Sequence, residues 1–102
     1  MSKEIGGFLT PSGIARVIRG NYGSADGPTA IWLVDAVTDE KIATVSVNVP
    51  EVPIPDPALF FAKTYSENEV LRSPLLASGL FEDTGLRLKS GHAELELWRI
   101  CA

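Results

Sequence analysis

The side chains that could carry out chemistry are few in this chain and poorly matched to one another. It contains one histidine, His92, and one cysteine, Cys101. A general base or a catalytic thiol needs a neighbouring group that orients or activates it, and no sequence motif supplies one here. We interpret His92 as an exposed turn residue and Cys101 as a simple thiol. The sequence predicts no catalytic residue.

Paired carboxylates are the second chemical possibility. The carboxyl-terminal half carries three pairs, which are Glu67 with Glu69, Glu82 with Asp83, and Glu94 with Glu96. Such pairs can act as acid and base in glycoside cleavage or can ligate a hard cation. The first pair, however, falls where a helix is expected to begin, and the helix dipole favours acids there without any chemistry. We expect no metal and no cofactor, and we interpret these acids as an anionic surface for a partner.

Length, charge and cysteine content limit the class of protein. The chain has 102 residues, 13 acidic and 9 basic side chains, and a net charge of −4. This length predicts a single domain over residues 1–102. Nucleic-acid binders usually carry a basic patch, so we expect no direct DNA binding and a basic protein surface as the partner. One cysteine and no apolar run of about 20 residues indicate a cytoplasmic protein without membrane contact.

The hydrophobic pattern predicts an α+β fold, a mostly antiparallel sheet of five to six strands with one short helix. Residues 1–12, rich in glycine and turn formers, are predicted to be an irregular arm. Turn formers also predict a loop over residues 20–28. Strands are predicted over residues 14–19, 29–36, 41–49 and 58–63.

A proline-rich stretch separates two of these strands. Residues 50–57 contain four prolines, and proline cannot donate to a strand ladder. The stretch is either a semi-rigid connector across one end of the sheet or a ligand for an aromatic groove. We favour the connector, because connections between elements normally run over the surface.

Ser66 and Glu69 fit a capping box, which predicts the start of the helix. The helix should end near Gly79, which would adopt the left-handed conformation. An internal proline disrupts a helix, so Pro74 predicts a short first turn, followed by a second turn capped by Ser73.

The final third of the chain predicts a second hairpin. A turn at Ser90-Gly91 would place Arg87 opposite Glu94 and Leu86 opposite Leu95. The leucines would then share one face and the charged residues the other. Trp98 lies on the face opposite the leucines, so we expect it to be partly exposed and to anchor an interface.

Four short motifs stand out: Ala43-Thr44-Val45-Ser46-Val47-Asn48-Val49, Tyr65-Ser66-Glu67-Asn68-Glu69, Gly79-Leu80-Phe81-Glu82-Asp83-Thr84-Gly85 and Ser90-Gly91. Together they resemble an uncharacterised family of small proteins carried by phages, plasmids and integrated elements of bacteria. The family has no known activity, so the resemblance implies no catalytic residue. It implies a setting among the accessory genes of mobile elements, where small acidic proteins, including anti-CRISPR proteins, block host defence.

The functional expectation combines this setting with the acidic composition. We expect a non-enzymatic protein that inhibits a host CRISPR-type nuclease complex by contacting a basic nucleic-acid-binding subunit. The contact residues would be Glu67, Glu69, Glu82, Asp83, Glu94, Glu96 and Trp98. The alternative is a homo-oligomeric structural or regulatory accessory protein, such as a homodimer, which associates through a strand edge or Trp98. A third hypothesis is a small enzyme whose site is not visible in the sequence.

Overall fold

The described residues, 2–24 and 26–101 of a computed structural model, form eight strands in two four-stranded antiparallel sheets. The first sheet contains, in spatial order, β1 (Lys3–Thr10), β2 (Gly13–Asn21), β3 (Thr29–Asp35) and β4 (Lys41–Thr44). The second contains, in spatial order, β5 (Ser46–Val47), β6 (Leu59–Ala62), β8 (Ala93–Ile100) and β7 (Phe81–Ser90). The predicted antiparallel architecture with one short helical segment is confirmed, but the predicted strand number of five to six is wrong.

One additional strand comes from the region that was predicted to be an irregular arm. β1 pairs with β2 from Lys3 opposite Arg19 to Thr10 opposite Gly13. The glycines that suggested irregularity serve close packing instead, since a Cβ atom on Gly6 would lie only 2.7 Å from the Leu80 side chain. The prediction over residues 3–10 is therefore wrong because the glycine pair reflects a tight approach and not a loose backbone.

The other additional strand arises because the predicted strand over residues 41–49 bends at Val45 and passes from one sheet to the other. The Val45 N–H donates to the Ile31 carbonyl of β3 at 2.8 Å, and the Val45 carbonyl accepts from the Lys63 N–H at 2.6 Å. The buried Ser46 hydroxyl accepts from the Ile31 N–H at 2.9 Å and lies 2.7 Å from the Tyr22 hydroxyl. The two sheets thus share one bent strand, and a serine side chain replaces a ladder partner at the bend.

The core lies between the inner faces of the two sheets. Its buried residues include Ala15, Val17, Ile31 and Leu33 from the first sheet and Phe60, Phe81 and Trp98 from the second. The rings of Phe60 and Phe81 meet edge to face, with centroids 5.4 Å apart. No helix in the described part of the chain is long and apolar enough to span a membrane.

The helical segment covers the side of the core between the edge strands β1 and β7. It consists of a 3₁₀ helix (Ser66–Leu71) continued by α1 (Arg72–Ala77), and α1 contacts both edge strands. Leu71 and Leu75 of this segment are buried in the core. The segment therefore crosses from the bent strand, where the Asn68 amide donates to the Thr44 carbonyl, to the edge strands β1 and β7.

The start of the helical segment differs from the predicted capping box. Tyr65 is the N-cap, no side chain caps the first turn, and Ser66 has a positive φ of 57°. The predicted second turn begins at Arg72 without a Ser73 cap, and Pro74 lies in its first turn, where a missing N–H is tolerated. Gly79 has the predicted left-handed conformation, with φ of 79°.

The β7–β8 hairpin keeps the predicted register where Phe81–Asp83 pair with Trp98–Ile100, but an irregularity between Asp83 and Arg87 shifts the part next to the turn by two residues. Gly91 and His92 make the turn, so Arg87 lies opposite Glu96 and Leu88 opposite Leu95. Gly91 has φ of 63° and occupies the first central position, as a type II′ turn requires. A shift of two residues keeps every side chain on its predicted face, so the alternation could not distinguish the two registers.

Candidate functional site

The six acidic residues predicted to form one anionic surface divide into two groups. The side chains of Glu67, Glu69, Glu82 and Glu94 lie at the surface. Asp83 and Glu96 instead belong to a cluster with Arg72 and Arg87, which we call the ion cluster. The structure therefore brings together only part of the predicted site.

Glu96 is the centre of the ion cluster. Its side chain is only 11% exposed and accepts hydrogen bonds from Arg72 Nε at 2.9 Å and Arg72 Nη2 at 2.9 Å. The Thr64 hydroxyl donates at 2.8 Å and the Trp98 indole N–H at 3.2 Å. Burial raises the pKa of Glu96, but these donors outweigh burial, and the net shift of its pKa is downward.

Asp83 completes the ion cluster. It accepts two hydrogen bonds from Arg87, both at 2.8 Å, and one from Arg72 at 3.2 Å. The Arg87 guanidinium, with the Gly85 N–H, lowers the pKa of Asp83 to about 2. Two carboxylates and two guanidinium groups thus satisfy one another, and this arrangement fits a structural role better than a partner contact.

The six acids also do not share a single face of the second sheet. Asp83 faces Trp98 on the inner side of the hairpin, whereas Glu82, one residue earlier, pairs with Arg99 on the outer side. Glu67 lies in the 3₁₀ helix and forms an ion pair with Lys63, whose hydrogen bond lowers the pKa of Glu67 to about 2. The exposed negative charge is therefore distributed and partly neutralised.

Trp98 does not lie at the surface, where the sequence placed it. It is fully buried, opposite Phe60 and Asp83 in the strand register, and packs against the rings of Phe60 and Phe81. The prediction that the leucines and Trp98 occupy opposite faces holds, but the face of Trp98 and Glu96 points into the sandwich. The prediction of an exposed Trp98 anchor is therefore wrong.

A surface that the sequence analysis missed lies at the end of the molecule that contains the β1–β2 and β3–β4 turns. We call it the apolar end surface. The described residues expose seven large apolar side chains, and five of them lie here: Leu9, Ile14, Val37, Ile42 and Val70. The remaining two, Val52 and Leu86, lie in other parts of the structure.

Three of the five, Leu9, Ile14 and Val37, lie near the turns of the first sheet, and we call them the ridge. Leu9 lies directly opposite Ile14 in the β1–β2 register, so their side chains share the outer face of the first sheet. The Ala36 N–H donates to the Ile14 carbonyl at 3.1 Å, which brings Val37 beside this pair. Val37 is 91% exposed.

The other two line a cavity of about 210 Å³, which we call the groove. Its apolar lining includes Pro11, Ile42 and Val70. The buried Asn68 amide supports the groove, because it donates to the Thr44 carbonyl at 2.7 Å and the Lys63 carbonyl at 3.1 Å. Ridge and groove flank the same turn, the residues between β1 and β2.

The proline-rich stretch connects β5 to β6 and covers a second cavity of about 270 Å³ against Val47, Leu59 and Phe61. The Pro57 carbonyl at its end accepts from Arg19 Nη2 at 2.8 Å and the Thr29 hydroxyl at 2.7 Å. These bonds fix the end of the connector to the first sheet. Use of the stretch as a ligand stays a prediction.

Comparisons of this chain with protein-family models, with curated proteins and with solved structures find no match. The resemblance to a mobile-element family therefore stays a prediction.

The groups considered first for chemistry occupy unremarkable positions. His92 is exposed in the β7–β8 turn, and Cys101 is an exposed free thiol. Among residues 2–24 and 26–101, no three His, Cys, Asp or Glu side chains are grouped so that they could hold a metal ion. The one sequence signal for the apolar end surface was an apolar residue, Val37, inside a turn of polar residues.

Proposed function

We propose that this protein acts by binding another protein through the apolar end surface and not by catalysing a reaction. The observation that carries the proposal is the concentration of five of the seven exposed large apolar side chains of the described residues at one end of the fold. Soluble proteins rarely expose contiguous apolar patches, and those that do generally use them for binding. The resemblance to mobile-element proteins gives the proposal its biological setting.

Hydrogen bonds hold the ridge in place before any partner arrives. The Asp35 carboxylate accepts from the Val37 N–H at 2.8 Å and the Thr38 N–H at 3.0 Å, and these donors lower the pKa of Asp35. On the other side, the Thr10 hydroxyl donates to the Gly13 carbonyl at 2.8 Å. A preorganised surface loses little conformational entropy on binding, which favours its use as an interface.

The test is a quantitative capture experiment with tagged protein in a bacterial lysate. We expect the double variant V37D/V70D to lose proteins that the unmodified chain retains, because charged groups would oppose apolar contact. The control V52D/L86D places the same two charges at exposed apolar positions elsewhere and should retain them. Identical retained proteins for all three chains would contradict the proposal.

A second candidate is inhibition of a host nuclease complex of the CRISPR type through the acidic residues that stay exposed. The observation that favours it is the surface position of Glu67, Glu69, Glu82 and Glu94 in a chain of net charge −4. Asp83 and Glu96 would contribute only indirectly, since both are engaged with arginines. A basic nucleic-acid-binding subunit would be the partner, and its attraction would weaken with salt.

Charge reversal separates this candidate from the first. We expect E67K/E69K to abolish inhibition of the nuclease complex, whereas the control E40K/E51K changes the net charge equally at exposed positions elsewhere and should preserve it. Equal inhibition by both double variants would contradict the acidic mechanism. Binding that is unchanged by high salt would contradict it as well.

A further inference from the structure

We infer that the cavity under the proline-rich stretch is a binding site for a small organic cation, an ammonium group carried on an apolar body. Residues 26–28 of the β2–β3 loop line this cavity, so it lies at the end of the first sheet opposite the apolar end surface. The inference is therefore independent of the proposed partner surface. Three properties of the cavity support it: an apolar wall, an excess of hydrogen-bond acceptors and two carboxylates.

The apolar wall belongs to the second sheet. Val47 of β5 lies directly opposite Phe61 of β6, and Leu59 shares the face of Phe61 because it lies two residues earlier in the same strand. At about 30 Å³ per heavy atom, the share of a water molecule in the liquid, the volume of about 270 Å³ accommodates about nine heavy atoms. A ligand of this size is one aromatic ring or a short alkyl chain with a single polar group.

The connector that forms the opposite wall offers hydrogen-bond acceptors and few donors. Five of the lining residues lack an N–H group because they are prolines: Pro28, Pro50, Pro53, Pro55 and Pro57. The Thr29 hydroxyl, which also lines the cavity, already donates to the Pro57 carbonyl at 2.7 Å. The carbonyls of Pro50, Pro53 and Pro55 accept no hydrogen bond from the described residues. A ligand that donates hydrogen bonds complements this wall, whereas one that only accepts them does not.

The carboxylates of Asp26 and Asp56 line the same cavity and give it negative charge. Two arginines lie nearby, but neither lines the cavity. Arg19 donates to the Pro57 carbonyl at 2.8 Å, and Arg99 lies 3.6 Å from Asp56 and 3.9 Å from Glu82, so two carboxylates share its charge. An ammonium group therefore complements the cavity in charge as well as in hydrogen bonding, and a carboxylate or phosphate does not.

The experiment is an NMR titration of the isotope-labelled full chain with three probes of similar size, which are phenethylammonium, neutral 2-phenylethanol and phenylacetate. We expect the cation to shift the amide signals of Val47, Asn48 and Phe61 with a Kd of about 1 mM or lower. The alcohol should bind about threefold more weakly or worse, and phenylacetate should not shift these signals. The lysine side chain of a partner protein offers the same ammonium group, so Nα-acetyl-lysine amide is a fourth probe. Tighter binding of this probe than of phenethylammonium would assign the site to a lysine of a partner, and weaker binding would assign it to a free amine.

Paired variants test the carboxylates. The double variant D26N/D56N keeps a side-chain oxygen at residue 56 for the Ala58 N–H, which Asp56 now accepts at 2.9 Å, so the fold should be preserved. It should weaken binding of phenethylammonium about threefold to tenfold, because two ion-pairing groups are lost. The control E40Q/E51Q removes the same charge from exposed residues that do not line the cavity, and it should stay within about twofold of the unmodified chain.

Three results would overturn the inference. The first is no shift at the lining residues up to about 10 mM phenethylammonium, or shifts confined to the apolar end surface. The second is equal binding of the cation, the alcohol and phenylacetate, since the site would then recognise only the apolar ring. The third is unchanged affinity in D26N/D56N, or an equal loss of affinity in E40Q/E51Q.

Discussion

Replacing Glu96 with alanine tests whether the ion cluster stabilises the fold. Three partners lose their acceptor in this variant: the Arg72 guanidinium, the Thr64 hydroxyl and the Trp98 indole N–H. The indole N–H is fully buried with Trp98, so leaving it unsatisfied costs about 1–3 kcal/mol. The Arg72 side chain is 37% exposed and keeps its contact with Asp83, so it can rehydrate and adds only about 1 kcal/mol.

Together these losses predict that E96A lowers the free energy of unfolding by about 3 kcal/mol. The conservative variant E96Q keeps an oxygen acceptor for Thr64 and Trp98 but removes the charge, and it should cost about 1 kcal/mol. The control E94A removes a carboxylate that is 59% exposed and 3.9 Å from Arg87, and it should stay within about 0.5 kcal/mol.

Urea unfolding followed by tryptophan fluorescence provides the measurement. For a slope of about 2 kcal/mol per molar urea, E96A should lower the unfolding midpoint by about 1.5 M. A change of less than about 1 kcal/mol in E96A would refute the reasoning, because the buried donors would then not depend on Glu96. An equal loss of unfolding free energy in E94A would also refute it, since the effect would then come from the change in net charge and not from the ion cluster.

Three further predictions concern the same scaffold. Folding lowers the pKa of Asp83 from 3.8 to about 2 and also lowers that of Glu96, so the unfolded chain binds more protons than the folded chain at acidic pH. The urea midpoint should therefore be constant above about pH 5 and decline from about pH 4 towards pH 2. A midpoint that does not change with pH would contradict this prediction. The variant S46A removes the acceptor of the buried Ile31 N–H and should lower the free energy of unfolding by about 1–3 kcal/mol, as measured by urea unfolding. An unchanged urea midpoint would contradict the role of Ser46 at the bend. The variant G20A places a Cβ atom 2.8 Å from the Trp32 ring, so it should lower the free energy of unfolding by about 1–3 kcal/mol. It should also change the near-ultraviolet circular dichroism spectrum, and an unaltered spectrum would contradict this packing.

Alternation in the last two strands predicted much of the second sheet but not its orientation. It separated Leu95 and Leu97 from Glu96 and Trp98 correctly, because side chains on successive residues point to opposite faces. It assigned the charged face to solvent, and this assignment failed because Arg72, from the helical segment, neutralises Glu96 inside the fold. Local sequence does not reveal which distant residue will satisfy a buried charge.

The errors in the first half of the chain have a different origin. Gly6 and Gly7 have the composition of a loop, yet both lie in β1, where a Cβ atom on Gly6 would meet the Leu80 side chain and one on Gly7 the Ala15 carbonyl oxygen. The strand over residues 41–49 was expected to be continuous, yet it bends at Val45 because Ser46 can supply a side-chain hydrogen bond to β3. Both features depend on contacts between residues distant in sequence, which periodicity does not encode.

The sequence does not predict the apolar end surface for a related reason. Leu9, Ile14 and Val37 belong to different segments and become neighbours only through the β1–β2 register and the Ala36–Ile14 hydrogen bond. In the linear sequence only Val37, next to polar turn residues, gives a signal, and it does not show which side chains will be its neighbours. Only the assembled sheets show that these side chains face outward together.

The bend at Val45 has a consequence for how the molecule unfolds. The Val45 N–H donates to β3 of the first sheet, and the Val45 carbonyl accepts from Lys63, next to β6 of the second. The two sheets therefore cannot separate without breaking one of these two hydrogen bonds. The two sheets should therefore open as one cooperative unit, and the Val45 amide should exchange its hydrogen only at the rate of global unfolding. Cutting the chain between β4 and β5 would leave two fragments that need each other to fold, which makes this bend a natural site for dividing the protein into a complementing pair.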